Sequence, residues 1–411
     1  MAMQLETTSQ IISNQRANQL KERIKDYTQT KNTIQTGYDT TSIQDLTKQK
    51  ILALCNATES NWNDWHWQLE NRITDVHTLN QIIQLTDLEK EAITQVSEKF
   101  RWGISPYYVS LMDPQNPQCP VRLQAIPSGL EMTASGETDP MGEEFTSPVE
   151  GITRRYPDRL IIKVTNQCAM FCRHCQRRRA IGQTDLATPK AILQNCIEYV
   201  RANEEVRDVL LTGGDALCIS DNTLKWLLEE LRSIPHVDII RIGSRTLVTM
   251  PQRITPELCE ILEANHPIYM NTHFNSPSEI TPDVAKATHK LCKAGVPLGN
   301  QAVLLKNINN DVNTMKKLNQ ELLKVRIRPY YIFHPKDVIG TKHFKVRIQE
   351  GIEIMENLRG QTSGLAIPTY IINAPNGKGK TPIMPNYIMG WGKDYVKIRT
   401  WEGEVFDYPN E

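Results

Sequence analysis

The sequence predicts an α/β protein built around a parallel β-sheet, and three observations carry that expectation. Six apolar, β-rich runs recur from residue 159 onward: RLIIKVT (159–165), RDVLLT (207–212), VDIIRIG (237–243), PIYMNTH (267–273), VPLGNQAVL (296–304) and IRPYYIF (327–333). Amphipathic stretches fill the gaps, and two of them open with an N-cap threonine followed by proline, Thr255-Pro256 and Thr281-Pro282. Polar, unusual residues fall at or just past the ends of the runs. They are three cysteines after the first, Gly213-Gly214-Asp215 after the second, Ser244-Arg245 after the third, His273 at the fourth, Gln301 within the fifth and Lys336 after the sixth. Active sites of α/β sheets and barrels form at the carboxyl ends of their strands. Six such units predict right-handed crossovers, in either a doubly wound sheet or an incomplete barrel; periodicity leaves both open.

The flanks follow in order. Residues 1 to about 60 are polar and helix-permissive and carry no nameable chemistry. Residues 60–100 predict helix, with Thr86-Asp-Leu-Glu89 as a capping box and Trp62, Trp65 and Trp67 as packing anchors. Residues 101–150 hold seven prolines and predict an irregular connection. The expected division is 1–150 for the helical region and connection, 151–345 for the sheet, and 346–411 for a C-terminal extension. Lys+Arg and Asp+Glu both number 47, so bulk charge supports neither a nucleic-acid nor a membrane-surface role. No apolar run approaches a membrane span, and the N-terminal MAMQLETTSQ lacks a signal-peptide core, so a cytoplasmic protein is expected.

Nine cysteines are present, and six are scattered: Cys55, Cys119, Cys196, Cys218, Cys259 and Cys292, several of them in helix-like segments and expected as small buried apolar residues. The other three crowd into CAMFCRHCQRRR, as Cys168, Cys172 and Cys175. In a cytosolic chain such a cluster points to metal or redox chemistry before disulfides. The spacing C-x3-C-x2-C is a poor structural zinc site, which takes four ligands. A complete iron–sulfur cluster also takes four cysteines, so three would leave one iron open for catalysis.

At this point the chain resembles the radical S-adenosylmethionine enzymes. VTNQCAMFCRHCQRRRAIG, VRDVLLTGGDAL, RIGSRT, PQRITPEL, NTHFN, AGVPLGNQAVLL, RPYY and KTPIMPNY occur in order and together resemble the lysine 2,3-aminomutase family over roughly residues 60–407. The resemblance implies a partial (β/α)6 TIM-like barrel with a helical N-terminal extension and an α+β C-terminal extension. It implies an isomerase with a [4Fe-4S] cluster on Cys168, Cys172 and Cys175, whose open iron chelates S-adenosyl-L-methionine to yield a 5′-deoxyadenosyl radical. His174, Gly213, Gly214, Asp215, Ser244, Arg245, His273 and Gln301 match positions around S-adenosylmethionine. Pyridoxal 5′-phosphate is implied as well, with Lys380 of NGKGKTPIMPNY as its Schiff-base lysine in preference to Lys378. Arg155, Tyr156 and Arg159 of RRYPDR stand at its phosphate, with Arg154 as a neighbour. Arginine suits phosphate through its planar fork of donors. Arg177 matches the residue that binds the substrate α-carboxylate. An electron donor such as flavodoxin or ferredoxin and a homo-oligomer, dimer or tetramer, are implied too.

The distal end of the substrate pocket departs from the lysine-acting members, which hold the substrate ammonium with two aspartates. Counting from RPYY and back from Lys380, those positions hold Lys336 and Asn373. One positive charge and a neutral amide repel an ammonium and suit a carboxylate. The expected substrate is L-glutamate, with β-glutamate as product; lysine or arginine is the alternative. Asp337 adjoins Lys336, so a shift of one residue would restore an aspartate. A non-enzymatic iron–sulfur sensor would have no use for Lys380, Arg155 and Arg159. No cysteine follows Cys292, so no C-terminal zinc site is expected.

Overall fold

A computed structural model describes residues 7–411. Its centre is a nine-stranded sheet in the order β1 to β9. The strands are β1 (Ile152–Arg154), β2 (Arg159–Thr165), β3 (Asp208–Gly213), β4 (Ile239–Gly243), β5 (Ile268–Thr272), β6 (Leu298–Val303), β7 (Arg328–Phe333), β8 (Thr369–Ala374) and β9 (Gly379–Pro382). β2 through β8 pair in parallel, and β1 and β9 run antiparallel at the two edges. All six expected strands are present, with ends shifted by no more than about two residues. The strand order equals the chain order and never reverses. A doubly wound sheet needs such a reversal at its switch point, so the sheet is an open barrel. The sixth unit is followed by a seventh parallel strand, β8, which lay inside the expected C-terminal extension. A separate antiparallel sheet, β10 (Ile388–Trp391), β11 (Tyr395–Arg399) and β12 (Val405–Pro409), ends the chain.

Alternation along the strands separates core from cavity. Leu160, Ile162, Val164, Val209, Leu211, Ile240 and Ile242 are buried against the helices. The residues between them, such as Arg159, Ile161, Leu210 and Arg241, face the cavity inside the curl. The crossover helices supply the opposing apolar stripe. In Asp221–Arg232 the Ser220 hydroxyl caps Thr223 N–H, and Leu224, Leu227, Leu228 and Leu231 fall on one buried face. Each such leucine contributes about 1.5–3 kcal/mol of transfer free energy. Thr255 and Thr281 cap their helices as the sequence suggests, with proline in the first turn.

Among the N-terminal elements, the Thr86–Glu89 capping box forms, and Trp62 and Trp65 are buried. The proline-rich stretch is not featureless. It forms two short helices, Pro106–Ser110 and Pro120–Ala125, and then crosses the mouth of the barrel as a strap over residues 126–150. A bridge ties the strap to the loop after β7, where Glu137 N–H donates to the Asp337 carbonyl at 2.8 Å and Ile339 N–H to the Glu137 carbonyl at 3.0 Å. No helix among the described residues is long and apolar enough to cross a membrane.

Candidate active site

Two adjoining cavities fill the curl. One, of about 270 Å³, lies at the carboxyl ends of the strands and touches all three clustered cysteines. The other, of about 780 Å³, lies against the amino-terminal halves of the strands. Arg155, Asn373 and Lys380 wall both. His174, Arg177, Gly213, Gly214, Asp215, Ser244, Arg245, His273, Gln301 and Lys336 line the first, and Tyr156 and Arg159 the second. The residues assigned from the sequence to cluster, cofactors and substrate therefore face this space, whereas the neighbours Arg154, Asp337 and Lys378 do not.

The cysteine loop follows β2 and is held from behind. Phe171 N–H donates to the Gly103 carbonyl at 3.0 Å and Arg173 N–H to the Gln124 carbonyl at 2.8 Å. Arg72 donates to the Cys168 carbonyl at 2.6 Å. Arg72 and Arg101 both sit against the Phe171 ring, at 5.5 and 4.6 Å, and both pair with Asp185. The three thiols are free and half-buried. Burial pushes the Cys168 and Cys175 thiols up, so a bound cation is needed to hold them as thiolates. The six scattered cysteines are also free, with Cys119, Cys196 and Cys218 buried.

The glycine pair after β3 is there for close backbone approach. Gly213 has φ +139°, and a Cβ on it would stand 2.3 Å from the Thr165 carbonyl oxygen. A Cβ on Gly214 would stand 2.4 Å from the Gln167 carbonyl oxygen. The loop thus packs on the start of the cysteine loop, with Asp215 N–H donating to Gln167 O at 2.7 Å. The Asp215 carboxylate is fully engaged by protein. It accepts from Ser244 Oγ at 2.6 Å, Leu217 N–H at 3.1 Å and Arg245 N–H at 2.6 Å. The Arg245 guanidinium is engaged too. It donates to Cys172 Sγ at 2.8 Å, Gln124 Oε1 at 2.6 Å, Glu279 Oε1 at 2.8 Å and the His273 carbonyl at 3.0 Å. His273 Nδ1 lies 3.0 Å from the Gln301 carbonyl, and burial lowers its imidazolium to about 4, so the ring is neutral.

The arginines beside the cluster each meet a different acid of the strap. Arg177 pairs side-on with Glu143, with Nε and Nη2 each 3.0 Å from Oε1. Arg178 pairs with Glu131 at 2.9 Å and Arg179 with Asp139 at 2.7 Å. Glu131 also takes Arg173, with Nε to Oε1 at 2.9 Å and Nη2 to Oε2 at 2.6 Å. These carboxylates were not among the residues picked from the sequence, where the strap was an irregular connection. The one signal available was the run of arginines itself, which needs counter-charge once buried.

The far wall is the β8–β9 hairpin. Asn373 and Lys380 are direct cross-strand partners, so both side chains emerge on one face. Lys378 lies on the turn, exposed, and lines neither cavity. Lys380 Nζ sits 4.7 Å from the Tyr331 ring centre and 5.2 Å from that of Phe333. Its side chain keeps solvent contact through the wide cavity, yet desolvation, then Arg241 and Arg159, bring its ammonium down to about 8. Tyr156 anchors the hairpin by accepting a hydrogen bond from Lys380 N–H on its hydroxyl oxygen, at 2.8 Å, and stacks under Arg159 at 3.9 Å. Arg154 points away and is held by Tyr199, Asn203 and Glu205. Lys336 lines the upper cavity, whereas Asp337 is exposed and paired with Lys345. Burial, then Arg177 and Arg155, lower the Lys336 ammonium to about 7.

Comparison with known proteins places this site in a class. Residues 162–318 match the model of the radical SAM superfamily, and the open barrel with its thiol-lined mouth is that of a radical S-adenosylmethionine enzyme. Residues 355–411 match the model described as Lysine-2,3-aminomutase. The chain is 58% identical to a glutamate 2,3-aminomutase of Clostridioides difficile (strain 630), over 97% of this chain and 95% of that one. It is 49% identical to an L-lysine 2,3-aminomutase of Clostridium subterminale, over 86% and 85% of the two chains. An L-lysine 2,3-aminomutase of Bacillus subtilis (strain 168) is 48% identical over 85% of this chain and 75% of its own. The chain belongs to the lysine 2,3-aminomutase family. It is an isomerase whose cofactors are a [4Fe-4S] cluster, S-adenosyl-L-methionine and pyridoxal 5′-phosphate.

The residues present fit those groups. Among the described residues no three His, Cys, Asp or Glu side chains converge closely enough for a single metal ion. Cys168, Cys172 and Cys175 line one cavity, and three thiols suit an iron–sulfur cluster that keeps one iron open. Arg155 has two buried donors, Nε and Nη2, without a hydrogen-bond acceptor, as an anion-binding arginine requires. Asn373 Nδ2 and His174 Nδ1 are also buried without a partner beside the same cavity.

Proposed function

We propose that this enzyme moves the amino group of L-glutamate from C2 to C3, giving β-glutamate. One observation carries the substrate: Lys336 and Asn373 face the cavity where a lysine-acting enzyme needs negative charge. The relative named glutamate 2,3-aminomutase, similar over nearly the whole chain, supports the same reading. Bound here, the reduced cluster with S-adenosylmethionine would supply a radical, and pyridoxal phosphate would supply conjugation that stabilises the radical while the amino group shifts between C2 and C3.

The chain's own residues hold and orient. Cys168, Cys172 and Cys175 hold the cluster. The Gly213-Gly214 backbone, His174, His273 and Gln301 border S-adenosylmethionine, and Asp215, Ser244 and Arg245 fix that wall through bonds to one another and to Cys172. Arg155 and Arg159, with Tyr156 beneath, receive the phosphate, and Lys380 provides the amine for the carbonyl. Arg177 takes the substrate α-carboxylate, and Lys336 with Asn373 the distal one. A one-electron protein donor reduces the cluster, the enzyme assembles as a homo-oligomer, and the cytoplasm is its compartment. Residues 1–150 act as helical support, 151–345 as the radical-generating barrel, and 346–411 as an extension that carries the cofactor lysine and adds β8 and β9 to the same sheet.

Reduced, reconstituted enzyme is to be incubated separately with L-glutamate, L-lysine and L-aspartate, and the products separated. Conversion of L-glutamate to β-glutamate is expected; turnover of lysine alone would sink the reading. A second expectation concerns Lys380. Only its free amine attacks the cofactor carbonyl, and its ammonium sits near 8. The rate of pyridoxal phosphate capture, followed by absorbance, is expected to rise about tenfold per pH unit from pH 6 to 7 and to level off above 8. A rate still climbing between pH 9 and 10 would mean that Lys380 is not the capturing amine.

A further inference from the structure

The glutamate aminomutase reading assigns one anion to Arg155 and another to Arg177, and one carboxylate joins these two residues. Glu143, only 6% exposed, lies 3.2 Å from Arg155 Nη2 and 3.0 Å from Arg177 Nη2, both measured to Oε1. Its contact with Arg177 is side-on, through Nε and Nη2. That leaves the Nη1 edge of Arg177 for a second carboxylate. Its contact with Arg155 is close but out of line, so the Arg155 donors Nε and Nη2 stay unmatched. Glu143 thus neutralises two like charges without saturating either fork.

The strap that carries Glu143 also meets the other substrate-facing elements. Glu137 bridges to Asp337 and Ile339, directly after Lys336. A Cβ on Gly142 would lie 3.3 Å from Asn376 Cα, in the turn between Asn373 and Lys380. Glu143 is held in register with both.

We propose that Glu143 is a positioning residue for the reaction: it fixes the phosphate arginine, Arg155, and the substrate-carboxylate arginine, Arg177, on a single carboxylate, and so sets the span between the cofactor phosphate and the substrate α-carboxylate. Without its charge, Arg155 and Arg177 repel each other, with Lys163 and Lys336 nearby adding to the repulsion. The two forks then separate, and both anions lose their preset geometry. The effect falls on binding, because both arginines hold groups that do not change charge during the rearrangement.

The inference rests on the anion roles given above, and the test separates the two. Glu143→Gln keeps the shape and removes the charge; Glu143→Asp keeps the charge and retracts it. In cluster-reconstituted enzyme stripped of pyridoxal phosphate, the cofactor Kd is measured by absorbance titration; in the reloaded enzyme, KM and kcat for L-glutamate are measured. Glu143→Gln is expected to raise Kd for pyridoxal phosphate and KM for L-glutamate together, each about tenfold, with kcat changed less. Glu143→Asp is expected to recover part of both. The proposal is overturned if either constant stays within twofold of wild type in Glu143→Gln. It is equally overturned if iron content and thermal stability fall while both constants of the folded fraction are unchanged, since that marks a merely structural residue. If the wild-type enzyme fails to turn over L-glutamate, the substrate reading falls, and the cofactor titration still judges Glu143.

Discussion

The double substitution Lys336→Asp with Asn373→Asp is expected to lower kcat/KM for L-glutamate about a thousandfold or more, while the cluster and pyridoxal phosphate still load. The size follows from charge burial. The site changes from one cation and one amide to two carboxylates facing the distal carboxylate of the substrate. Like charges brought together in a desolvated site cost several kcal/mol, against about 1.4 kcal/mol per tenfold in affinity. Lys336 is already poised for an anion. Burial, Arg177 and Arg155 hold its ammonium near 7, so an arriving carboxylate both binds it and stabilises its charge. The sign of the pH dependence follows. With the free-enzyme ammonium near 7, kcat/KM for glutamate should fall as pH rises through that value, and Lys336→Met should remove this limb. The exposed neighbour Asp337, bonded to Lys345, provides an internal control: Asp337→Asn should leave glutamate specificity intact. Unchanged glutamate turnover in the double variant would mean that Lys336 and Asn373 do not form the distal pocket.

Glu131→Gln is expected to destabilise the protein by about 3–5 kcal/mol and to strip iron from the loop. Glu131 is fully buried, and its carboxylate accepts three hydrogen bonds and pairs with a further guanidinium. Ser128 N–H donates at 3.1 Å, Arg173 donates through Nε and Nη2, and Arg178 stands 2.9 Å away. Arg173 lies between Cys172 and Cys175, and its Nη1 reaches the Arg101 carbonyl at 3.1 Å. The neutral amide leaves two buried guanidiniums without counter-charge inside the ligand loop. Asp139→Asn is the comparison. It breaks a pair whose arginine side chain is 38% exposed, and exposed pairs contribute about 0–1 kcal/mol. Anaerobic thermal melts with iron analysis decide; equal effects of the two substitutions would refute the burial argument.

Much of the barrel was legible because period-two apolar strands and capped crossover helices are local patterns. The six polar positions at the strand ends all reached the cavity for the same reason: a parallel strand order brings carboxyl ends together. β8 was not legible as a barrel strand. Its run TYIINA lies beyond the six-fold repeat, after the loop that follows the helix Ile348–Leu358, and its place between β7 and β9 is set by pairings that span the fold. The acids of the strap were illegible on different grounds. Glu131 meets Arg173 across 42 residues and Glu143 meets Arg177 across 34, over a stretch with no periodicity. Ion pairs of that reach leave no trace in composition or spacing. Asp215 and Arg245 were found at the right wall, but the sequence could not show that their charged groups are consumed by protein partners rather than offered to a ligand.

In the proposed function, the β8–β9 hairpin carries both a residue of the distal substrate pocket, Asn373, and the lysine for the cofactor, Lys380. Asn373 and Lys380 share a face only because Ala374 pairs with Gly379 and the turn between them spans residues 375–378. Side chains alternate with parity two, so a turn longer or shorter by one residue would send Lys380 outward while Asn373 stayed in place. On the proposed roles, cofactor capture would constrain the length of this connection, whereas the hairpin's part in substrate choice would depend only on the side chain at residue 373. Substrate choice would then change by side-chain exchange alone, without any change in loop length or in the pairing that holds Lys380.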